Sequence, residues 1–282
     1  MTCNQNLDKY SELIKSSNVS IQEKMNIIFT LKELGTNDAV YTLHNCITNN
    51  SVLLDHEIAY ILGQLKNDIS IPFLINLAKN IKYDPIVRHE AIEALGNFED
   101  INIIKHLELF LTNNNDLIRE SAILAIYKLN QLSYNNGVSK ISIFGSRDPT
   151  YPANESNLNN LKHMFIYGTL IEKYQAMFKL RDINTQESID ILNMGFSDNS
   201  ALLRHEVAYV LGQAKNSHAI NALKLVLENE SEEDVVRHEA AEALGAIGTS
   251  DCYDILMKFK NTNIQIIKES IEVGLSMLSN IN

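Results

Sequence analysis

One ten-residue stretch occurs twice in this chain, almost without change. VRHEAIEALG occupies Val87–Gly96, and VRHEAAEALG occupies Val236–Gly245, 149 residues later. A second pair lies at the same offset: HEIAYILGQ at His56–Gln64 and HEVAYVLGQ at His205–Gln213. Because two separate matches share one spacing, the chain is an internal duplication, and its fold must be built from two related halves.

Each half is itself repetitive. Its segments align on a closing Leu-Gly, and the aligned units are 28 to 33 residues long, which is typical of helical solenoids. Seven residues before the glycine stand Ile28, His56 and His89 in turn. A fourth unit places Arg119 there and lacks the glycine. The second half follows the same order, so we predict four repeats per half.

The pattern within a unit is helical. Apolar residues recur at three- and four-residue spacing in HEAIEALG: Ala91, Ile92, Ala94 and Leu95. Asp84-Pro85 predicts an N-cap followed by proline at the first helical position. Gly96 is expected to end the helix, where a left-handed residue is often needed. An apolar segment before this helix, IPFLINLAKNI, predicts a partner helix, and two helices in one unit resemble a HEAT-type repeat.

The repeats stop in the middle of the chain. Residues 131–160 are rich in Asn and Ser and hold four turn-forming residues: Gly137, Gly145, Pro149 and Pro152. We therefore predict an all-α, HEAT-type α-solenoid with an N-terminal half over 1–130, a linker over 131–160 and a C-terminal half over 161–282. A short apolar patch, Ile141, Ile143 and Phe144, suggests that part of the linker packs against the halves.

Composition narrows the class of protein. The net charge of −11 argues against nucleic-acid binding, which needs a basic face, and favours basic partners. The apolar runs are too short to cross a membrane, and the first residues do not resemble a signal peptide. The three cysteines are scattered and form no CxxC motif. These features predict a cytoplasmic protein without a membrane or nucleic-acid partner.

Four of the eight histidines are followed directly by glutamate, all at one phase of the repeat: His56-Glu57, His89-Glu90, His205-Glu206 and His238-Glu239. A structural role is the simplest explanation, because duplication copies residues and the outer repeats keep the glutamate without the histidine. However, the neighbouring first helices have diverged, with three of ten residues shared between Ile71–Asn80 and Ile220–Asn229. The repeat also does not require imidazole, since Ile28 and Met177 fill the same phase. We therefore favour a shared function for the pairs.

Metal binding is the chemistry that these pairs favour. Neighbouring helices in a solenoid pack about 8–10 Å apart, so imidazoles at one phase can reach a common ion. His56 and His89 can then share one metal, and His205 and His238 another, with a carboxylate completing each set. Two histidines and one carboxylate suit non-haem Fe(II), and zinc can use the same ligands. Four carboxylates are available and two suffice, so the remaining two could hold a cationic substrate.

Other catalytic motifs do not occur. No HExxH is present, because the residues four after the paired histidines are Tyr60, Glu93, Tyr209 and Glu242. We favour a packing role for the two tyrosines. The chain also has no P-loop and no dinucleotide-binding glycine fingerprint, so we expect no catalytic residues beyond the metal sites.

Together these motifs resemble the deoxyhypusine hydroxylase family, which are HEAT-repeat di-iron monooxygenases. The resemblance covers nearly the whole chain and rests on the two halves, the four His-Glu segments and the linker segment SRDPTYP. The linker keeps Asp148-Pro149, but the residues after it depart from the family's usual proline-rich continuation.

The resemblance implies a function for the chain. The enzyme would hydroxylate the deoxyhypusine residue of translation initiation factor five-A to hypusine, with O2, an external reductant and two Fe(2+) per chain. His56, His89 and Glu90 would hold one iron, and His205, His238 and Glu239 the other. Glu57 and Glu206 would bind the amines of the substrate side chain, or ligate metal as well.

The sequence leaves two alternative functions open and gives one expectation about assembly. A metal-free HEAT-repeat scaffold would explain the fold but not the phased histidines. A chromophore-lyase-like HEAT protein would share the repeat type but would not need duplicated His-Glu pairs. A monomer suffices for a site built from both halves, so we expect one.

Overall fold

The computed structural model describes residues 3–134 and 141–279. All elements of regular secondary structure in these ranges are helices. The all-α prediction is therefore confirmed. The chain divides into two compact units, Met1–Lys140 and Ile141–Asn282. Among the described helices, none combines the length and the apolar character that crossing a membrane requires.

The first unit is a row of helix pairs. Its helices are α1 (Cys3–Lys15), α2 (Ile21–Leu34), α3 (Asn37–Cys46), α4 (Val52–Leu65), α5 (Ser70–Lys79), α6 (Pro85–Leu95), the short α7 (Ile104–Leu107) and α8 (Asp116–Tyr134). The second helices of the pairs, α2, α4, α6 and α8, pack each against the next. This row carries the positions at which the sequence places the paired histidines.

The second unit repeats the arrangement. Its helices are α9 (Leu158–Tyr167), α10 (Leu170–Ile183), α11 (Gln186–Asn193), α12 (Ala201–Ala214), α13 (Ile220–Glu228), α14 (Asp234–Ile247), α15 (Ser250–Phe259) and α16 (Gln265–Ser279). Here α10, α12, α14 and α16 form the row of second helices. The described helices of the second unit therefore follow the same order and packing as those of the first.

Local sequence signals fix where several of these helices begin. Ser20 and Glu23 form a reciprocal capping box at the start of α2, and Thr169 and Glu172 form the same box at the start of α10. Each box satisfies backbone N–H groups that have no partner within the helix. The predicted start of α6 is also confirmed, because the side chain of Asp84 accepts from the N–H of Ile86.

The glycine that closes α6 acts differently from the prediction. Gly96 has φ −66°, in the right-handed region, so the expected left-handed helix end is wrong. The residue is small because another helix lies against it: a Cβ at Gly96 would lie 2.9 Å from the Cα of Ala125 on α8. In the second unit a Cβ at Gly245 would lie 2.4 Å from the Cα of Gly274. These glycines bring the second helices into close contact.

The segment before α9 packs on its own unit. Arg181 on α10 is fully buried, bonds to the carboxylate of Asp148 at 2.8 Å and lies over the ring of Phe144. Ile141 and Ile143 are exposed, so only part of the predicted apolar patch is packed. Residues 135–140 of the predicted linker, including Gly137, lie outside the described residues, and the linker assignment stays a prediction.

Candidate metal centre

In the first unit, α4 and α6 bring a buried cluster together. His56 and Glu57 lie on α4, and His89 and Glu90 lie on α6. The His56 and His89 rings lie 5.5 Å apart between centroids, and Nε2 of His56 is 3.4 Å from Oε2 of Glu90. One ligand atom from each of His56, His89 and Glu90 lies within 4.8 Å of the others. The structure therefore brings together the three residues that were predicted to share an ion.

The donor set of this cluster suits a divalent metal. With ligand bonds of about 2.1 Å, donors on one ion lie about 3.0–3.4 Å apart, and the His56–Glu90 distance is close to this range. His89 is fully buried, and His56 and Glu90 are nearly so. Burying two imidazoles and a carboxylate is costly unless a partner compensates, and a cation would do so.

The second unit holds the matching cluster on α12 and α14. The His205 and His238 rings lie 5.6 Å apart, and Nε2 of His205 is 3.5 Å from Oε2 of Glu239. All three side chains are buried. Ligand atoms of His238, Glu239 and Glu242 in this unit lie within 4.8 Å of one another. The pairwise geometry of the first cluster is thus repeated, with one additional carboxylate close by.

Glu57, which follows the first paired histidine of its unit, lies on a different side of the cluster from Glu90. Oε1 of Glu57 lies 3.5 Å from Nδ1 of His56, whereas Glu90 faces Nε2 of the same ring. The two carboxylates therefore approach opposite ring nitrogens of His56. Glu206, at the equivalent position of the second unit, is buried.

The carboxylates beside His56 favour its protonated form. Burial alone lowers the pKa of the His56 imidazole, but hydrogen bonds and charge from Glu57 and Glu90 outweigh it and raise the pKa well above 6.5. A proton on His56 and a metal ion at its nitrogen are alternative ways to satisfy the same carboxylates.

Sequence reasoning missed four residues around the histidines. Glu93 and Glu242 lie next to the Nδ1 atoms of His89 and His238, and each carboxylate accepts a hydrogen bond from a buried serine, Ser121 or Ser270. Glu93 and Glu242 were noted only in excluding an HExxH motif. Their spacing of four residues from a histidine, the distance between neighbours on one helix face, was the available signal.

Fold and cluster together define a class: a helical-repeat protein with a buried, histidine- and carboxylate-lined candidate metal site in each of two units. The protein-family model for HEAT repeats matches residues 48–127 and 189–276. The chain is 37% identical to deoxyhypusine hydroxylase of Candida albicans (93% of this chain, 88% of that one) and 34% identical to the human enzyme (98% and 92%). The solved structure of human deoxyhypusine hydroxylase in complex with glycerol matches with a TM-score of 0.94 at 33% identity, covering 98% of this chain and 96% of that one.

These similarities extend over nearly the full length of both this chain and its relatives. The chain belongs to the deoxyhypusine hydroxylase family, and it is an enzyme with HEAT repeats. Its fold and family agree with those expected from the repeated His-Glu segments.

Proposed function

We propose that this enzyme is a di-iron monooxygenase that converts the deoxyhypusine residue of translation initiation factor five-A into hypusine. Hydroxylation of deoxyhypusine follows from membership of the family. The iron, the dioxygen, the external reductant and the identity of the protein substrate are what the proposal adds.

A single observation carries the metal assignment. Two buried histidines on neighbouring helices converge with a carboxylate, and this arrangement occurs once in each unit. His56, His89 and Glu90 would hold one Fe(2+), and His205, His238 and Glu239 the second. Two histidines and one carboxylate leave coordination positions open, which is the ligand set of non-haem iron oxygenases.

The bound iron would supply activation of dioxygen, with one oxygen atom inserted into a C–H bond and the other reduced to water by two electrons and two protons from outside. The protein residues have other tasks. Burial of the histidines would keep water from the ligand nitrogens, and the glutamates would offset part of the positive charge of the ions.

Glu57 and Glu206 are the candidates for binding the substrate. The side chain of deoxyhypusine is a long diamine, and its amines are cationic at neutral pH. A carboxylate that forms a charge-assisted hydrogen bond with an ammonium group orients it strongly. Glu57 approaches His56 from the nitrogen opposite to Glu90, so it is available for this role beside the proposed ligand set.

The proposal is tested by iron content and by activity. Wild-type protein purified with iron should contain about two irons per chain, and a variant with all four paired histidines changed to alanine should contain none. With reductant and O2, only the wild type should hydroxylate a deoxyhypusine-bearing acceptor. Arg119→Ala is the control, since Arg119 occupies the histidine phase in a repeat without a proposed ligand. Well-folded wild type without metal would overturn the proposed metal sites.

Three further expectations belong to the same proposal. The chain acts as a monomer in the cytoplasm, and its halves extend over 1–130 and 161–282 with a linker between them. Size-exclusion chromatography with light scattering measures whether the chain is a monomer, and imaging of the tagged protein measures whether it lies in the cytoplasm. Each stays a prediction.

A further inference from the structure

A carboxylate lies one helical turn after the second paired histidine of each unit, His89 or His238. In the first unit, Oε1 of Glu93 is 3.6 Å from Nδ1 of His89, slightly longer than a hydrogen bond. In the second unit, Oε1 of Glu242 is 3.3 Å from Nδ1 of His238. Both histidines are fully buried, and both carboxylates are largely shielded from solvent. The contact is thus made twice, at the same ring nitrogen.

The helix of the fourth repeat holds each carboxylate in place. Ser121 on α8 donates through its Oγ to Oε1 of Glu93 at 2.9 Å. Ser270 on α16 donates in the same way to Oε1 of Glu242 at 2.8 Å. Both serines are fully buried. The fourth repeats carry no paired histidine, so this hydrogen bond links their second helix, through the carboxylate, to the histidine of the repeat before.

The repeat itself does not require a serine at this position. Equivalent positions in the histidine-bearing repeats are apolar: Ile58, Ala91, Val207 and Ala240. A buried hydroxyl is unfavourable without a hydrogen-bond partner, and in both units the partner is the carboxylate. Packing alone would be served equally well by alanine.

The carboxylate is also specific to the second histidine. Four residues after the first paired histidine of each unit, His56 or His205, stand Tyr60 and Tyr209 instead. The hydroxyl of Tyr209 accepts a hydrogen bond from Gln213 at 2.9 Å. The spacing of a carboxylate four residues after histidine is therefore not a general property of these helices.

A neutral imidazole carries one N–H, and the group beside each nitrogen decides which nitrogen carries it. A carboxylate beside Nδ1 favours a proton on Nδ1, because it accepts a hydrogen bond from that N–H. The lone pair of Nε2 is then left for a cation. We propose that Glu93 and Glu242 are positioning residues that keep His89 and His238 in the Nδ1–H tautomer, and that Ser121 and Ser270 hold these carboxylates in place. This inference rests on the metal sites proposed above.

The first test reads the tautomer in metal-free, full-length protein labelled with ¹⁵N-histidine. Long-range ¹H–¹⁵N spectra are recorded at increasing pH until the rings of His89 and His238 are neutral, which the same spectra show. His89 and His238 should both carry the proton on Nδ1 in the wild type. Glu93→Gln keeps an accepting oxygen and should keep the tautomer, whereas Glu93→Ala and Ser121→Ala should lose the single tautomer at His89 but not at His238. An Nε2–H tautomer in the wild type would overturn the inference.

The second test measures cobalt(II) binding to the same metal-free proteins by absorption spectroscopy. Loss of a partner that orients a metal-bound histidine weakens metal binding by about 10–100-fold. Glu93→Ala should therefore weaken cobalt binding by this factor at the site of the first unit and leave the other site unchanged. Glu93→Gln should stay close to the wild type. Loss of binding in Glu242→Gln with the tautomer intact would instead make Glu242 a ligand and overturn its positioning role.

The two tests separate this inference from the function on which it rests. The tautomer is read without metal or substrate, so wild-type protein that binds no cobalt overturns the proposed function and not the contact. Ser121→Ala removes only a hydroxyl and adds no bulk, so it remains informative if Glu93→Ala fails to fold. Unchanged tautomer and unchanged cobalt affinity in Ser121→Ala would overturn the role of the serine.

Discussion

At the scale of single residues, one position is filled in two ways in the first three repeats of each unit. Ile28 and Met177 occupy it in the first repeats and are fully buried, and the paired histidines occupy it in the middle repeats and are buried as well. An imidazole in a position that accepts isoleucine or methionine loses its contacts with water and gains nothing from packing. The proposed metal gives a physical reason for the exchange.

The first prediction follows from this equivalence. His89→Ala should lower the iron content from about two to about one per chain, because the second unit keeps its own ligands. His89→Met is the matched variant, since methionine fills the same phase at Met177, and it should lose the same iron with a melting temperature near that of the wild type. Mass spectrometry for iron and a thermal melt followed by circular dichroism measure both. Unfolding of both variants would favour a structural role for His89.

The second prediction concerns the carboxylate outside the proposed ligand set. Glu57→Gln should keep both irons and lower kcat/KM for the acceptor. A hydrogen bond to a charged group contributes about 1.5–3 kcal/mol, or about 10–150-fold. Glu120→Gln is the control, because Glu120 has the same phase in a repeat without a paired histidine. Loss of iron from Glu57→Gln would make Glu57 a ligand.

At the scale of elements, close packing of the second helices holds the sites together. The Cα of Gly274 on α16 would lie only 2.4 Å from a Cβ at Gly245 on α14. The same helix pair provides the Ser270–Glu242 hydrogen bond. The distance between helix axes therefore determines both the packing of the unit and the contact beside His238.

The third prediction is that Gly245→Ala destabilises the protein. In an open helix, alanine is more stable than glycine by about 0.5–1 kcal/mol, but here the new methyl group would meet backbone atoms that cannot rotate away. Overpacking of this kind costs about 1–3 kcal/mol, so the melting temperature should fall. A rise in melting temperature would show that α14 and α16 are not in close contact.

The fourth prediction concerns α3 and α5, away from the metal centre. The His44 ring stacks on Phe73 with centroids 4.2 Å apart, and its Nε2 is 3.0 Å from Oγ of Ser70. Burial lowers the pKa of His44 from 6.5 to about 4. Because the unfolded chain binds this proton more readily, the free energy of unfolding should fall as the pH drops from about 6.5 to about 4.

A matched pair of variants checks this pH dependence. His44→Gln should flatten the decrease, and His218→Gln, at an exposed histidine of the second unit, should keep the slope of the wild type. Urea unfolding curves collected at several pH values between these limits provide the measurement. An equal slope in all three proteins would contradict the assignment to His44.

At the scale of the whole molecule, the chain has a net charge of −11 and repeats one site design in two units. Each unit has its own core, its own row of second helices and its own candidate metal centre. A basic acceptor protein would be attracted by the charge of the whole chain before it contacts any particular residue.

The fifth prediction follows from this charge. Raising the salt concentration from roughly 0.05 M to 0.3 M shortens the range of electrostatic attraction about twofold or more, so kcat/KM for a basic acceptor should fall. kcat at saturating acceptor should change little, because the buried clusters are shielded from salt. Steady-state kinetics at several salt concentrations measure both. A salt-independent kcat/KM would argue against electrostatic recruitment.

The resemblance to the family supplied the choice of Glu90 as a partner of the histidines. The sequence by itself determined the helical class, the repeat, the start of α6 at its Asp84 cap and the shared phase of His56 and His89 on neighbouring helices. These depend on periodicity and on short-range contacts, which a repeated pattern records directly. The role of Gly96 was predicted wrongly, because a glycine at a helix end and a glycine under another helix look alike in the sequence.

Only the tertiary structure decided which atoms meet. Adjacent residues on a helix point about 100° apart, so the pattern could not tell that Glu57 and Glu90 approach opposite nitrogens of His56. Ser121 lies 28 residues after Glu93, and their hydrogen bond depends on how closely α6 and α8 pack. Side-chain contacts between helices are set by packing distance and rotation, and neither quantity is written in the periodicity of one helix.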